Sequence, residues 1–571
     1  MRKIQSPKIK IWTALISLVL WLGCDDFLET QPYGTTTLNT LSKQQSGAEA
    51  LLIAAYSNLD GISLETYTIW MAGASNWVYG SITGGDAYKG AEEGDQKEIT
   101  SFEIHTGLEA TNPYLEAKWT TYYNGVARAN DALKAFKALN DIKDDFRNKR
   151  LAEARFLRGF YHFELWKLFK NVPYIDESVV DTRIGNQVDM LPMIQEDFLF
   201  ASALLPREQK DEPGRITKGA AQAYFGITKM WEKEWNTAKI YFDSVIQSGR
   251  YALNATYHAN FNAEYANTSE SILEVQQSVN DGANGANGNF GDVLNQPFAL
   301  GSCCGFHQPS QNLVNAFKTD DSGLPMFDTY NNEDVTNDDG VNSDQPFTPH
   351  AGPLDPRLDW TVGRRGLPFL DWGVNPGSNW VRDQHNGGPY LPKKNVIYMA
   401  QTGEYSNNGW NSVNANNLKL LRYADLLLYA AEADVELGLL DEALSLVNLV
   451  RARAANKEGF LKSTDGITDA ANYVISTYPS FPDQTYARRA VRFERRLELG
   501  MEGHRFFDLV RWGVAADQKN KYFEKEKLKR TYMQNAHFEA GKNEILPIPQ
   551  NAIIRSMKNG EVTLTQNLGY D

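Results

Sequence analysis

The sequence predicts a mainly α-helical protein: a scaffold of tetratricopeptide-like helical hairpins interrupted by a large, irregular, loop-rich region. Three observations carry this prediction. Small or apolar residues at Gly226, Ala238, Phe242 and Val245 recur at Ala431, Ala443, Val447 and Val450, an offset of 205 at all four positions. In a tetratricopeptide unit a small residue in the first helix lets the second approach, and an alanine with two apolar residues lines the inner face of the second. Any antiparallel helix pair in an all-α bundle would show similar intervals, so the spacing alone leaves both readings open. Second, apolar stripes at helical spacing recur elsewhere, as at Phe156, Phe160 and Phe163, and such stripes are core-facing. Third, between Asn254 and Asn417 this periodicity gives way to Gly, Asn, Asp and Pro.

In chain order, residues 1–23 hold four basic residues and the apolar run Ile11 to Leu22, followed by Gly23 and Cys24. Twelve residues are short for a membrane span, so the stretch reads as a secretory signal of the lipoprotein kind, with Cys24 as the acylated first residue of the mature chain. Trp21 stands where lipoprotein signals usually carry an aliphatic residue. Residues 24–571 read as one domain. Asp25 to Lys43 forms an extended tether, and helical scaffold is expected at about 44–60, 113–253 and 418–515. The loop-rich binding part covers about 61–112 and 254–417.

Within the scaffold, Trp119, Tyr123, Val126 and Asn130 share one helical face. A helix over Leu151–Phe169 ends before Pro173, because proline disfavours helical geometry in the residue preceding it. Gln187–Leu205 is a further helix, and Arg215–Arg250 is a hairpin. Leu420, Ala424, Leu427, Ala431 and Val435 form another helical face, stopped by Gly438 and followed by Asp441 as a cap. The charged stretch Arg488–Trp512 carries Glu494, Arg495, Arg496, Glu498, Arg505, Asp508 and Arg511, a pattern suited to salt bridges within and between helices.

Composition excludes several function classes. With 57 Lys plus Arg against 71 Asp plus Glu the net charge is −14, and without the four basic residues of the signal it is −18. No basic stripe is available for nucleic acid. The sequence carries no phosphate loop, nucleophile elbow, HExxH or zinc-spaced cysteine set, so no cofactor and no metal are expected. Glycines at 282, 285, 288 and 291 lack a flanking strand and helix, and Val335 and Pro346 occupy ligand positions of a would-be EF-hand loop. Cys303 and Cys304 can close only a ring between neighbours or remain reduced.

Several stretches resemble the SusD/RagB lipoproteins of Bacteroidetes. They are CDDFLET at Cys24, AEARFLRGFYHFELWKLFKNVPYI from Ala152, DPRLDWTVG at Asp355, LRYADLLLYAAEADVELG at Leu421, FERRLELGMEGHRFFDLVRWG at Phe493, and ILPIPQNAI with TQNLGY at the end. The resemblance implies an outer-membrane, surface-facing, lipid-anchored protein that binds polysaccharide or oligosaccharide. It also implies delivery of that glycan to a SusC-like TonB-dependent transporter, with no catalysis. An algal glycan such as ulvan or laminarin, or a fructan, fits such a role. A peptide-binding member of the family and an anchored all-α glycosidase are the alternatives, the latter requiring a carboxylate pair roughly 5–10 Å apart.

A sugar ring presents a C–H face to aromatic rings and a hydroxyl edge to planar polar groups. The candidate ligand residues are therefore Trp77, Tyr79, Asp86 and Tyr88 in the first irregular stretch and Trp372, Trp380, Arg382 and Tyr398 in the second, with Cys303, Cys304 and Phe306 as a shaped wall. Trp77 is expected to be an exposed stacking platform, since it lies outside any apolar periodicity. Arg364, Arg365, Arg382, Lys393 and Lys394 would admit a polyanionic glycan if they formed a local basic patch.

Overall fold

The computed structural model describes residues 43–62, 69–283, 285–407 and 410–570; the expected signal, Cys24, the expected tether up to residue 42 and Tyr67 lie outside them. The fold is mainly α, and its spine is a series of helices, each packed on the next. These are α1 (Gln45–Ser57), α2 (Pro113–Ala138), α3 (Asp144–Phe169), α4 (Leu191–Leu204), α5 (Lys218–Glu232) and α6 (Trp235–Gln247), then α7 (Tyr423–Glu436), α8 (Leu440–Ala454) and α9 (Gln484–Leu499). Successive neighbours from α1 to α8 touch, and α7 also packs on α9. The 175 residues between α6 and α7 do not break the series, because these two helices pack directly against each other.

The repeat spacing marks the tight points of this array. A Cβ on Gly226 in α5 would lie 2.5 Å from the Phe242 ring of α6, so a larger residue would push the helices apart. Ala431, Ala443, Val447 and Val450 of the second copy are all fully buried. Local chemistry sets several helix starts. The Asn112 side chain accepts from the Tyr114 N–H beside Pro113, and Asp483 accepts from Tyr486 N at the start of α9.

Four boundaries differ from expectation. Helix α4 begins at Leu191, with Pro192 in its first turn, rather than near Gln187. Helix α3 begins at Asp144 rather than Leu151 and ends, as expected, at Phe169, where Lys170 takes a positive φ of 57° before Pro173. Residues 418–422 are a strand, so Leu420 belongs to a sheet and not to the face of α7. Asp441 lies inside the first turn of α8 and caps nothing.

Strand pairing holds the irregular region in place. β1 (Ala87–Gly90) pairs antiparallel with β3 (Phe306–Pro309), and β2 (Ser271–Val275) with β4 (Leu418–Arg422). The first stretch expected to be loop is instead mostly interior. A π-helical turn, Trp77–Ile82, is buried throughout and leads through buried residues into β1. C-terminal to α9 come α10 (Arg505–Arg511) and α11 (Ala515–Glu526). Among the described residues no helix is long and apolar enough to cross a membrane.

The charged stretch forms a buried ionic framework. Glu498 of α9 meets Arg357 at 2.9 Å, Arg422 of β4 at 2.5 Å, and Arg453 of α8. Glu494 bridges Arg357 and Arg451, Glu270 bridges Arg422 and Arg453, and Glu502 bridges Arg422 and Lys394. With Asp355 on Arg357, five cations face five carboxylates, so the cluster is buried without net charge. Nearby, Arg495 is held by Asp425 and Asp508, and Arg511 by Glu432 and Asp508.

Candidate functional site

Two glycines position the loop that carries the cysteine pair. Gly90 (φ 79°) ends β1, and a Cβ there would sit 2.4 Å from the carbonyl oxygen of Gly305 (φ 77°), the residue before β3. Gly305 N donates to Gln296 O and its carbonyl accepts from Ala91 N, which pins both ends of the loop 296–305 against the core. The tip projects outward. Phe298 is 46% exposed, Leu300 is half-buried, and Cys303 and Cys304 are joined by a disulfide and half-buried, answering the question that the sequence leaves open. Ser412 Oγ accepts from Cys303 N at 3.1 Å.

A second loop stands beside it. Phe298 N donates to the Trp380 carbonyl at 3.2 Å, and the Arg382 guanidinium lies 5.7 Å from the Phe298 ring centroid. Arg382 is fixed by Glu92 at 3.0 Å and Asp95 at 2.7 Å. Beneath, Phe369, Val381, Leu391 and Val396 form a small apolar cluster separate from the main core, and Leu300, Leu370, Trp372 and Trp380 pack on it half-buried. Trp380 meets Phe369 edge-on at 5.8 Å, and the Trp372 indole N–H donates to Ile397 O at 2.9 Å. Tyr398 follows, half-buried; burial, then the charge of Asp371, pushes its hydroxyl up to about 12. The Asp371 carboxylate accepts from the Met399 and Ala400 amides.

Six of the candidate residues, Cys303, Cys304, Trp372, Trp380, Arg382 and Tyr398, thus belong to one partly open part of the surface. The other five do not. Trp77 is 1% exposed, packs edge-on against Phe306 at 6.2 Å, and donates its indole N–H to Trp70 O, so it offers no stacking face. Phe306 itself is fully buried. The buried Tyr79 hydroxyl sits between the carbonyls of Met71 and Tyr114. Asp86 is buried in an ion pair with Arg496, and Tyr88 donates to Glu526 in the interior. These are core positions, and the expectation of a ligand role for them is corrected accordingly.

The five basic residues expected to form a local patch do not form one. Arg364 is paired with Asp359, Arg365 donates to the carbonyls of residues 343 and 345, Lys393 donates to Asp359 O, and Lys394 is paired with Glu502, all four being buried. Arg382 alone reaches the open face, and two carboxylates already hold it.

Sequence reasoning missed Phe298, Leu300, Glu92 and Asp95. The signal for the first two was the pair of large apolar residues just before the adjacent cysteines in NQPFALGSCCGF. Nothing local marks Glu92 and Asp95, whose partner lies almost three hundred residues away. Chemically the face offers half-exposed rings and a disulfide beside a planar guanidinium and two carboxylates. That set can hold a flat, hydroxyl-bearing ligand.

A family model described as the SusD family matches residues 269–570, and a second, described as starch-binding associating with outer membrane, matches residues 26–228. The chain is 23% identical to SusD-like protein P2 of Formosa agariphila over 99% of this chain and 100% of that one. Among solved structures it is similar to a laminarin binding SusD-like protein, with TM-score 0.66 and 23% identity, covering 92% of this chain and 100% of the other. It is also similar to surface glycan-binding protein A from Bacteroides thetaiotaomicron in complex with laminarihexaose, with TM-score 0.59 and 20% identity, covering 92% and 99%. Matched by family models along both its halves and sharing its fold with SusD-like structures, the chain belongs to the SusD family.

Proposed function

We propose that the protein is a cell-surface lipoprotein that captures a neutral polysaccharide or oligosaccharide and passes it to a SusC-like TonB-dependent transporter in the outer membrane. The observation that carries the reading is the half-exposed face on which Trp372 and Trp380 pack on an apolar cluster of their own, with Phe298 hydrogen-bonded beside Trp380 and the Cys303–Cys304 disulfide on the same loop as Phe298. Apolar rings held open at the surface on a separate footing mark a binding surface rather than core. Glu92, Asp95 and Arg382 supply hydrogen-bonding groups for sugar hydroxyls at its edge.

Two features favour a neutral glycan over a polyanionic one such as ulvan. Four of the five basic residues that could have met sulfate or uronate are buried and engaged by carboxylates or backbone carbonyls, and the chain is acidic overall. The structural relatives that bind laminarin and laminarihexaose point to the same class of ligand, a neutral glucan.

The test is a panel of laminarin, a fructan and ulvan in affinity gels and calorimetry, with wild type beside Trp380→Ala and Phe298→Ala. Truncating an aromatic hot spot costs about 2 kcal/mol or more, so binding should weaken roughly tenfold or more while the thermal midpoint stays near that of wild type. Retained glycan should show no new reducing ends. Undiminished retention by both variants would move the site elsewhere, and sustained release of reducing ends would replace capture with hydrolysis.

The anchor has its own test. Cys24→Ala should shift the protein from the membrane fraction to the soluble one with its helical circular dichroism unchanged; persistence in the membrane fraction would refute acylation at Cys24.

A further inference from the structure

A cavity of about 350 Å³ lies among α9, α10, α11 and the loop at 327–332, away from the aromatic face. Its lining carries Arg496, Arg505, Lys519, Lys521 and Lys525 against only two carboxylates, Asp328 and Glu524. Some of these charges are already spent: Arg496 is paired with Asp86, Lys521 with Asp517, and Asp328 with Arg489. Lys519 and Arg505 have no ion-pair partner among the described residues, although the Lys519 ammonium lies 4.6 Å and 4.8 Å from the Tyr522 and Phe523 ring centroids. Lys519 is 1% exposed, yet its Nζ finds no hydrogen-bond partner among the described residues, and the same holds for Arg505 Nε. No carboxylate among the described residues lies within ion-pair distance of the Arg505 guanidinium. Tyr522, which lines the same cavity, has a buried hydroxyl that is likewise unpartnered.

Buried cations are ordinarily paired, as the ionic framework of this protein illustrates. Here the carboxylates that could serve are engaged elsewhere: Asp86 by Arg496, and Glu103 by the Tyr532 hydroxyl and the Lys89 amide. Burial, with Arg505 and Arg496 nearby, accordingly pushes Lys519 down to about 7 in spite of Glu103 and Asp86, and burial followed by Arg496 pushes Arg505 down to about 10. Arg496 also donates to the Asn312 carbonyl oxygen at 2.8 Å, which leaves the Asn312 amide N–H groups as further donors on the wall. The cavity therefore gathers donors and positive charge that the chain itself does not satisfy.

We propose that this cavity is an oxyanion-binding site, taking the sulfate, phosphate or carboxylate group of a small ligand between Lys519 and Arg505. The ammonium supplies a point charge and the guanidinium a planar fork, the pairing that such groups accept in charge-assisted hydrogen bonds. The site does not depend on the glycan reading, since it shares no residue with that face.

Calorimetry and thermal unfolding of the purified protein with sodium sulfate, sodium phosphate or sodium acetate, each against sodium chloride at equal ionic strength, test this. Sulfate also stabilises proteins by exclusion from their surface, so the readout is the saturable part of the response. Wild type should bind at least one of the three saturably, and the anion that binds tightest assigns the group. Lys519→Met and Arg505→Gln should each weaken that binding at least tenfold. In the absence of anion Lys519→Met should melt at or above the wild-type temperature, because it removes a buried amine that has no hydrogen-bond partner among the described residues. No saturable binding to wild type, or binding undiminished in both variants, would overturn the proposal.

Discussion

Glu498→Ala is expected to destabilise the protein by about 3–5 kcal/mol, the range for removing one partner of a buried ion pair and leaving the others uncompensated. Glu498 is fully buried and answers three arginines, one each from the segment before residue 358, from β4 and from α8. Its loss would leave those guanidiniums in excess inside the protein. Equilibrium unfolding in urea, followed by circular dichroism, measures the change. A shift below about 1 kcal/mol, the range of exposed pairs, would mean that water reaches the cluster.

The same framework fixes the response to acid. Burial alone would raise the carboxyl groups, but Arg422 and Lys394 hold Glu502 at about 2, and Arg495 and Arg511 hold Asp508 at about 2. Glu498 is held lower still by Arg453, Arg422 and Arg357. Groups depressed in the folded state contribute stability that is present above their unfolded values of 4.5 and 3.8 and is lost as pH falls toward about 2. Wild-type urea midpoints should therefore drop steeply between pH 4.5 and about 2, and less steeply in Glu498→Ala.

Trp77→Ala should cost a similar amount, about 3–5 kcal/mol for deleting a buried tryptophan, with glycan retention unchanged at temperatures where the variant is folded. The indole fills space between β3 and the π-helical turn on which it sits, and that turn has no slack. A Cβ on Gly80 would fall 1.8 Å from the Gly503 carbonyl oxygen, so the backbones of 77–82 and 500–504 are already in contact. A thermal midpoint close to wild type together with weakened binding would reverse this assignment and restore Trp77 to the site.

What the sequence made legible was the part governed by local periodicity. The spacing through Gly226 and Ala431 located two hairpins, and the stripes through α2 and α3 located their buried faces, because helix packing repeats every three or four residues. The family-like stretches at Asp355, Leu421 and Phe493 turn out to be three contributors to one ionic framework, which explains why they speak of scaffold and not of ligand.

The first irregular stretch was misread for a physical reason. Glycine beside aromatic residues looks the same whether it loosens a loop or lets two backbones touch, and at Gly80 it does the second. Asp86 and the residues at 364, 365, 393 and 394 looked available because their partners are brought to them only by the tertiary fold. The open face at Phe298, Trp372 and Trp380 was half legible: the aromatic content was visible, but the carboxylates that steady Arg382 were not.

The pairing of β2 with β4 bears on how such proteins diversify. Val275 and Leu418 are partners in the register, so residues 276–417 leave the scaffold and rejoin it at one place, while α6 and α7 close up beneath. A segment that leaves and rejoins the helices at one strand pair can lengthen, shorten or be transplanted from a relative as one cassette without re-threading them. The attachments a graft must keep include the β3 edge that meets β1, the pairing of Arg382 with Glu92 and Asp95, and Asp355, Arg357 and Lys394, which plug the cassette into the ionic framework.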